Sequence, residues 1–140
     1  MTEKYKVLGQ YIKDSSSETR DIETYLFVKE VISRYKLGID ITSKALKNKM
    51  VEVTTKFVFQ DKEDNKRKAY FEMNYSTIIK LVEEISDKKE LEKIILCDVQ
   101  KKIYPDLEKA FLNLLHDSGY DSVKFSKKVD FESLYKQKFN

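Results

Sequence analysis

The clearest alternation of apolar and polar positions runs through residues 50–76. Val51, Val53, Phe57 and Phe59 fall on one side and Glu52, Thr54, Lys56 and Val58 on the other, the period of a strand with one oily and one largely polar face. After the charged run 61–68, in which Asp64 and Asn65 can turn the backbone, Phe71, Met73 and Tyr75 alternate with Tyr70, Glu72 and Asn74. The pattern predicts a long β-hairpin. Its apolar side has to be covered, and the chain beyond Ser76 is dense in Ile, Leu and Phe.

Upstream, residues 5–14 place Val7, Gly9 and Tyr11 on one alternation and Leu8, Gln10 and Ile12 on the other, which predicts a strand with both faces partly apolar. Ser15, Ser16 and Ser17 with Glu18 predict its end, because short hydroxyl side chains compete for backbone hydrogen bonds. Residues 21–34 fit two descriptions. Ile22, Tyr25, Leu26, Phe27, Val28, Val31 and Ile32 have helical spacing but also suit a buried irregular crossover. In 35–46 the strand period returns, Tyr35, Leu37, Ile39 and Ile41 against Lys36, Gly38, Asp40 and Thr42, with Asn48 and Lys49 in the turn that follows.

Beyond the hairpin, Ser76 and Thr77 are expected to cap a short helix carrying Ile78, Leu81, Val82 and Ile85 and ending near Ser86. A second helical segment, 89–97, is apolar around much of its circumference. Pro105 suits the first turn of a third helix, with Asp106 and Glu108 at the positive end of its dipole. Leu107, Ala110, Phe111, Leu114 and Leu115 give that helix a stripe, and Gly119 a stop. It is expected to be the main helix on or beside the sheet. The tail carries Val123, Phe125, Val129, Phe131, Leu134 and Tyr135 and is expected to return to the body through a short helix from Asp130.

Composition narrows the class. A chain of 140 residues, 41% hydrophobic and 36% charged, fits one soluble domain over 1–140 that buries about two-thirds of its unfolded surface. With 27 basic against 24 acidic residues, the net charge of +3 lacks the one-sided field of a dedicated nucleic-acid binder. Cys97 has no partner for an internal disulfide and, with His116 the one histidine, leaves no Cys/His zinc set; the expected compartment is a reducing cytosol. A polar opening and no apolar run of spanning length predict neither a classical secretion signal nor direct membrane insertion. Nine Tyr and eight Phe read mainly as core and half-buried sheet rings.

Catalytic patterns are missing: there is no Gly-rich phosphate loop and no nucleophile elbow. His116 reads as a helix-end side chain, Cys97 as a packed thiol, and Glu83 with Glu84 as solvated surface. The expectation is a protein that is not an enzyme, with no cofactor and no metal.

Tyr11-Ile12-Lys13-Asp14, followed by Ser16 and Glu18, resembles the strand-ending motif of SecB-type protein-export chaperones. Lys36-Leu37-Gly38-Ile39-Asp40, Met50-Val51-Glu52-Val53 and Phe71-Glu72-Met73-Asn74-Tyr75 with Ile78 resemble that family's second, third and fourth strands and the start of its helix. Cys97, Tyr104-Pro105 and Val129-Asp130-Phe131-Glu132-Ser133-Leu134-Tyr135 are similar to its cysteine, its Phe-Pro helix start and its Val-Asn-Phe-Asp-Ala-Leu-Tyr ending. These matches run in family order from Val7 to Tyr135.

The resemblance implies an α+β protomer: a four-stranded antiparallel sheet with helices packed on one face, assembling as a dimer of dimers, a homotetramer. It implies an ATP-independent holdase that keeps precursor proteins unfolded in the bacterial cytosol and delivers them to the SecA motor ATPase. By position, Asp14, Glu18, Tyr70 and Glu72 match the motor-binding surface, and Tyr25, Leu26, Phe27 and Val31 an apolar client groove. Read from the residues alone, Glu72 is an ordinary solvent-facing strand residue and the four apolar ones equally suit a capped core. Association is expected to use Phe71, Met73 and Tyr75 near the end of the hairpin and Phe111 on the main helix. The chain departs from the family in its slightly basic charge, in Ser76-Thr77 where the family has Gly-Gly, and in a longer spacing from Cys97 to Pro105. Two rival readings are a chaperone dedicated to one client such as an antitoxin, and a single-stranded nucleic-acid-binding module using Lys66-Arg67-Lys68 and Lys101-Lys102.

Overall fold

Four strands, β1 (Tyr5–Glu18), β2 (Lys36–Ala45), β3 (Met50–Gln60) and β4 (Tyr70–Leu81), pair antiparallel in the order β1-β4-β3-β2. The computed structural model describes residues 4–63, 66–125 and 129–139, with the backbone alone for 137–139. The turn expected at Asp64 and Asn65 lies outside the described residues. The hairpin alternation is realised in register: Val51, Val53, Thr55, Phe57 and Phe59 stand opposite Ile79, Thr77, Tyr75, Met73 and Phe71. All of these except Tyr75, which is partly covered, are buried. The other face carries Glu52, Lys56, Glu72 and Asn74.

The mixed faces of β1 have a local cause. A bulge between Val7 and Gly9 shifts the register, so Val7 lies opposite the buried Ile79 while Gly9 and Tyr11 lie opposite Ile78 and Ser76 on the outer face. A second bulge falls between Ile12 and Asp14. The strand does not stop at the serines. Ser15, Ser16 and Ser17 pair with Met73, Glu72 and Phe71, because a complete neighbouring strand offers backbone partners that outweigh local competition. On the other side of the sheet, Asn48 and Lys49 both have φ 62°, and the Met50 amide donates to the Lys47 carbonyl. That is a two-residue turn whose twist suits antiparallel strands.

Between β1 and β2, α1 (Ile22–Val31) and a tight turn (Ile32–Arg34) carry the chain across. The Asp21 carboxylate caps α1 by accepting from the Thr24 amide at 2.8 Å. Beyond β4 the chain forms α2 (Lys88–Lys93), one wide turn (Ile94–Asp98) and α3 (Val99–Asp117), and it ends in α4 (Phe131–Phe139). The short helix expected over residues 76–86 is replaced by the end of β4: Thr77 and Ile79 pair with Val53 and Val51, and the β-branched run Thr77-Ile78-Ile79 favours the extended form. Pro105 does not begin a helix. The helical run starts at the Asp87 cap, and Pro105 lies inside α3 on an exposed position.

The core forms where α3 lies on β3. Phe111 stacks on Phe57 with ring centroids 5.3 Å apart, Tyr104 packs on the same ring, and Gln100 Nε2 donates to Thr55 Oγ1 at 2.8 Å. Leu107, Phe111 and Leu115 are completely buried, each contributing roughly 1.5–3 kcal/mol. Gly119 ends α3 with φ 104°, its amide donating to the His116 carbonyl while that of Tyr120 donates to Leu115.

Lys49 is the place where an L side chain works against the backbone. Lys49→Gly is expected to raise stability by about 0.5–1 kcal/mol, read as a higher urea midpoint at unchanged slope; a lower midpoint would contradict the turn.

Candidate functional site

Among the described residues, β2 has a strand on one side and none on the other. Its core-facing residues Leu37, Ile39 and Ile41 stand opposite Phe59, Phe57 and Thr55, but Leu37 and Ile39 remain partly open because α3 is centred over β3. The facing wall is the chain returning after α3: Val123, Phe125, Val129 and Leu134 of α4. Between the walls run three clefts of about 460, 390 and 110 Å³. The first two share Tyr35, Leu37 and Phe125, and the first and third share Ile39 and Leu134, so together they make one trough along the edge of β2.

Both walls are anchored. Tyr35 takes the Ala69 amide at 3.1 Å, and burial pushes its hydroxyl up. Beside it Arg34 donates from Nε and Nη2 to Asp61 Oδ2 at 3.0 and 2.8 Å, and these bonds hold the Asp61 carboxyl below the usual range. On the far wall Phe125 packs on Phe59 and parallel to Phe111, with centroids 5.7 and 6.3 Å away. The Asp130 carboxylate caps α4 through the Ser133 amide, Phe131 packs on Tyr104, and Lys101 Nζ reaches Glu132 at 2.6 Å. Burial also drives the Tyr104 hydroxyl well above its ordinary value.

The four residues expected to form the groove lie on α1, and none lines the trough. Tyr25 packs on Tyr120 and donates to the Gly119 carbonyl at 2.9 Å; Leu26 points outward, 56% exposed; Phe27 lies under the Arg34 guanidinium; Val31 is half-buried. The chain just after them, Ile32, Ser33 and Tyr35, does line it. Leu37, Ile39, Phe125, Val129 and Leu134 line the trough without a local sequence pattern that singles them out; the signal they carry is an apolar tail with no assigned partner, alongside an edge strand.

Three of the four residues expected at an oligomer face are corrected by their burial. Phe71, Met73 and Phe111 are at most 2% exposed within one chain, because the hairpin face they share is closed by the protein's own helix. Tyr75 keeps some surface, next to the half-exposed Ile12 opposite it. Asp14, Glu18, Tyr70 and Glu72 do come together. Glu18 pairs with Tyr70, Ser16 with Glu72 and Asp14 with Asn74, which sets all four on the outer face of β1 and β4, and Glu72 meets Lys56 at 2.9 Å. Glu52 on the same face accepts from Ser76 at 2.7 Å, a bond that lowers its carboxyl's pKa.

Among the described residues no group of His, Cys, Asp and Glu could hold a metal, and Cys97 is fully buried. No described helix is long and apolar enough to cross a membrane. His116 Nε2 meets the Val123 carbonyl at 2.9 Å and so ties the returning chain to α3. The site has apolar walls and an open strand edge, and its chemistry is that of binding.

Across residues 1–140 the chain matches the family described as preprotein translocase subunit SecB. It belongs to the SecB family. A Pelagibacter ubique protein provisionally named protein-export protein SecB is 60% identical over 140 residues, the whole of both chains. Protein-export protein SecB of a Bradyrhizobium species is 26% identical over 131 residues, covering 94% of this chain and 79% of that one. A solved Mycobacterium tuberculosis SecB-like chaperone, in complex with a ChAD peptide from the HigA1 antitoxin, superposes with TM-score 0.67 at 9% identity, covering 89% of this chain and 91% of that one. That likeness confirms the SecB-like sheet and helices as a fold. Membership of the SecB family supports a chaperone role in protein export.

The Arg34–Asp61 link braces the trough and is pH-dependent. Asp61 is depressed in the folded state, so the link contributes fully above the unfolded Asp value of about 3.9 and is lost as pH falls through the folded value. Arg34→Ala is expected to cost about 1–2 kcal/mol at neutral pH, and urea unfolding near about pH 2.5 should show a smaller gap to the parent. An equal gap at both pH values would contradict this.

Proposed function

We propose that this SecB-family chain is an ATP-independent holdase. It takes unfolded precursor segments into the trough along β2 and passes them to the SecA motor ATPase, working in the cytosol as a dimer of dimers. The observation that carries the reading is the trough: apolar walls beside the free edge of β2. Burial of apolar area is non-directional, so such walls accept many sequences, while an extended segment can add main-chain hydrogen bonds to the open strand. Discrimination then rests on how long a client stays unfolded. Nothing in this requires bond chemistry, in keeping with a site built of Leu, Ile, Phe and Tyr.

The opposite edge of the sheet supports association. β1 is 14 residues long and leaves Leu8, Tyr11 and Ile12 about half exposed, a long apolar edge that would invite aggregation unless a second copy covers it. Tyr75 adds to the same region. The outer face of β1 and β4, with Asp14, Glu18, Tyr70 and Glu72, is left for the motor. A dedicated antitoxin chaperone is the second reading, favoured by the peptide-bound Mycobacterium tuberculosis structure; it uses the same trough and differs in the number of clients captured.

Leu134 faces the trough from α4 and is 40% exposed, so Leu134→Glu should leave the fold intact. It is expected to weaken client affinity about ten-fold, the loss of one leucine's burial, measured as suppression of light scattering by an aggregating client. Absence of suppression by the unaltered protein would remove the proposal. For the motor face, Asp14→Lys with Glu18→Lys is expected to weaken SecA binding by about ten-fold or more while leaving client capture unchanged. Unaltered SecA affinity would take that surface out of the account.

A further inference from the structure

We infer that the trough selects unfolded segments whose apolar residues are flanked by aspartate or glutamate; the inference rests on the trough being the client site. Lys36 and Lys124 both line the 460 Å³ cleft and both line the 390 Å³ one, and no carboxylate lines either. Both lysines are exposed, and among the described residues neither is held in an ion pair. Four other carboxylates have partners of their own. Asp61 and Glu63 are taken by Arg34, Asp130 by the first turn of α4, and Glu132 by Lys101. Glu108 lies near enough to Tyr104 to act on its hydroxyl, but it lines neither cleft.

Asp40 is the exception that gives the trough a direction. It lines the small cleft at the other end, and in the strand register it stands opposite Lys56, whose Nζ is 2.9 Å from Glu72. Lys36 and Asp40 are four residues apart on one strand, or roughly 13 Å. The positive charge is therefore concentrated at the end of the trough formed by Ser33, Lys36 and Lys124. A segment that fills the apolar floor with Leu, Phe or Tyr and carries acidic residues at that end meets two solvent-exposed lysines. A segment flanked by lysine meets the same groups in repulsion. Exposed pairs of this kind are individually weak, so the expected selectivity is about three- to ten-fold, and it falls as salt screens the rim.

The test is fluorescence anisotropy with the full chain and three labelled peptides that share one Leu/Phe/Tyr centre and are flanked by Glu, Gln or Lys. At low salt the Glu-flanked peptide should bind about three- to ten-fold more tightly than the Gln-flanked one, with the Lys-flanked one weakest, and the order should collapse at about 0.5 M NaCl. Lys36→Glu with Lys124→Glu should reverse the order, with far-UV circular dichroism confirming the fold. Equal binding of the three peptides overturns the selectivity and leaves the trough as a client site. Binding of none overturns both readings. Displacement of the Glu-flanked peptide by an oligothymidylate as readily as by its own unlabelled form also overturns the inference, since the rim would then be a general polyanion site.

Discussion

Phe111 lies flat on Phe57, and the rest of the molecule is arranged around that contact. It fixes α3 over β3, with Gln100 on Thr55 and Tyr104 on Phe57 extending the line along one strand. Rings and aliphatic side chains packed at the density of a protein interior leave little freedom to shift, so the helix cannot also cover the neighbouring strand. One helix is too narrow for a four-stranded sheet. The strand left short of cover is β2, and Val123, Phe125, Val129 and Leu134 face it across an open cleft.

In the proposed reading, that incomplete cover joins fold to function. A core that closed fully over Leu37 and Ile39 would leave the proposed client no place to bind. The open strip is apolar enough to hold an unfolded segment, and its walls are kept apart by fixed links: Tyr35 to Ala69, Arg34 to Asp61, and α4 to α3 through Glu132 and Phe131. Such a site is preformed, and binding need not first order its walls. The sheet's two edges have separate uses in this account, β2 for clients and β1 for a second copy, with the polar outer face remaining for a motor.

Much of this was legible in the chain, and what was not has physical causes. The β3–β4 hairpin, β2 and the turn at Asn48-Lys49 follow from period and turn chemistry, which depend on neighbours in sequence. The serines of β1 and the end of β4 were misread because strand pairing, a distant partner's contribution, overrode local preference: Ser15 to Ser17 pair with Met73 to Phe71, and Thr77 with Val53. Pro105 was read as a helix start because that is its most favourable helical position, whereas the Asp87 cap lies well upstream. The resemblance found the right family, and the groove residues it implies lie on α1, away from the trough along β2. Which apolar residues stay open depends on how far α3 reaches across the sheet, and no local pattern encodes that reach. The same limit applies to Phe71, Met73 and Phe111, whose oiliness indicated burial without saying that their own chain would cover them.

The most direct measurement is hydrogen exchange of the full chain with and without an unfolded apolar peptide. The account predicts slowed exchange in the amides of β2 and of residues 129–136, with the outer face of β1 and β4 unchanged. Protection confined to α1 around Leu26, or to the outer sheet face, would contradict it.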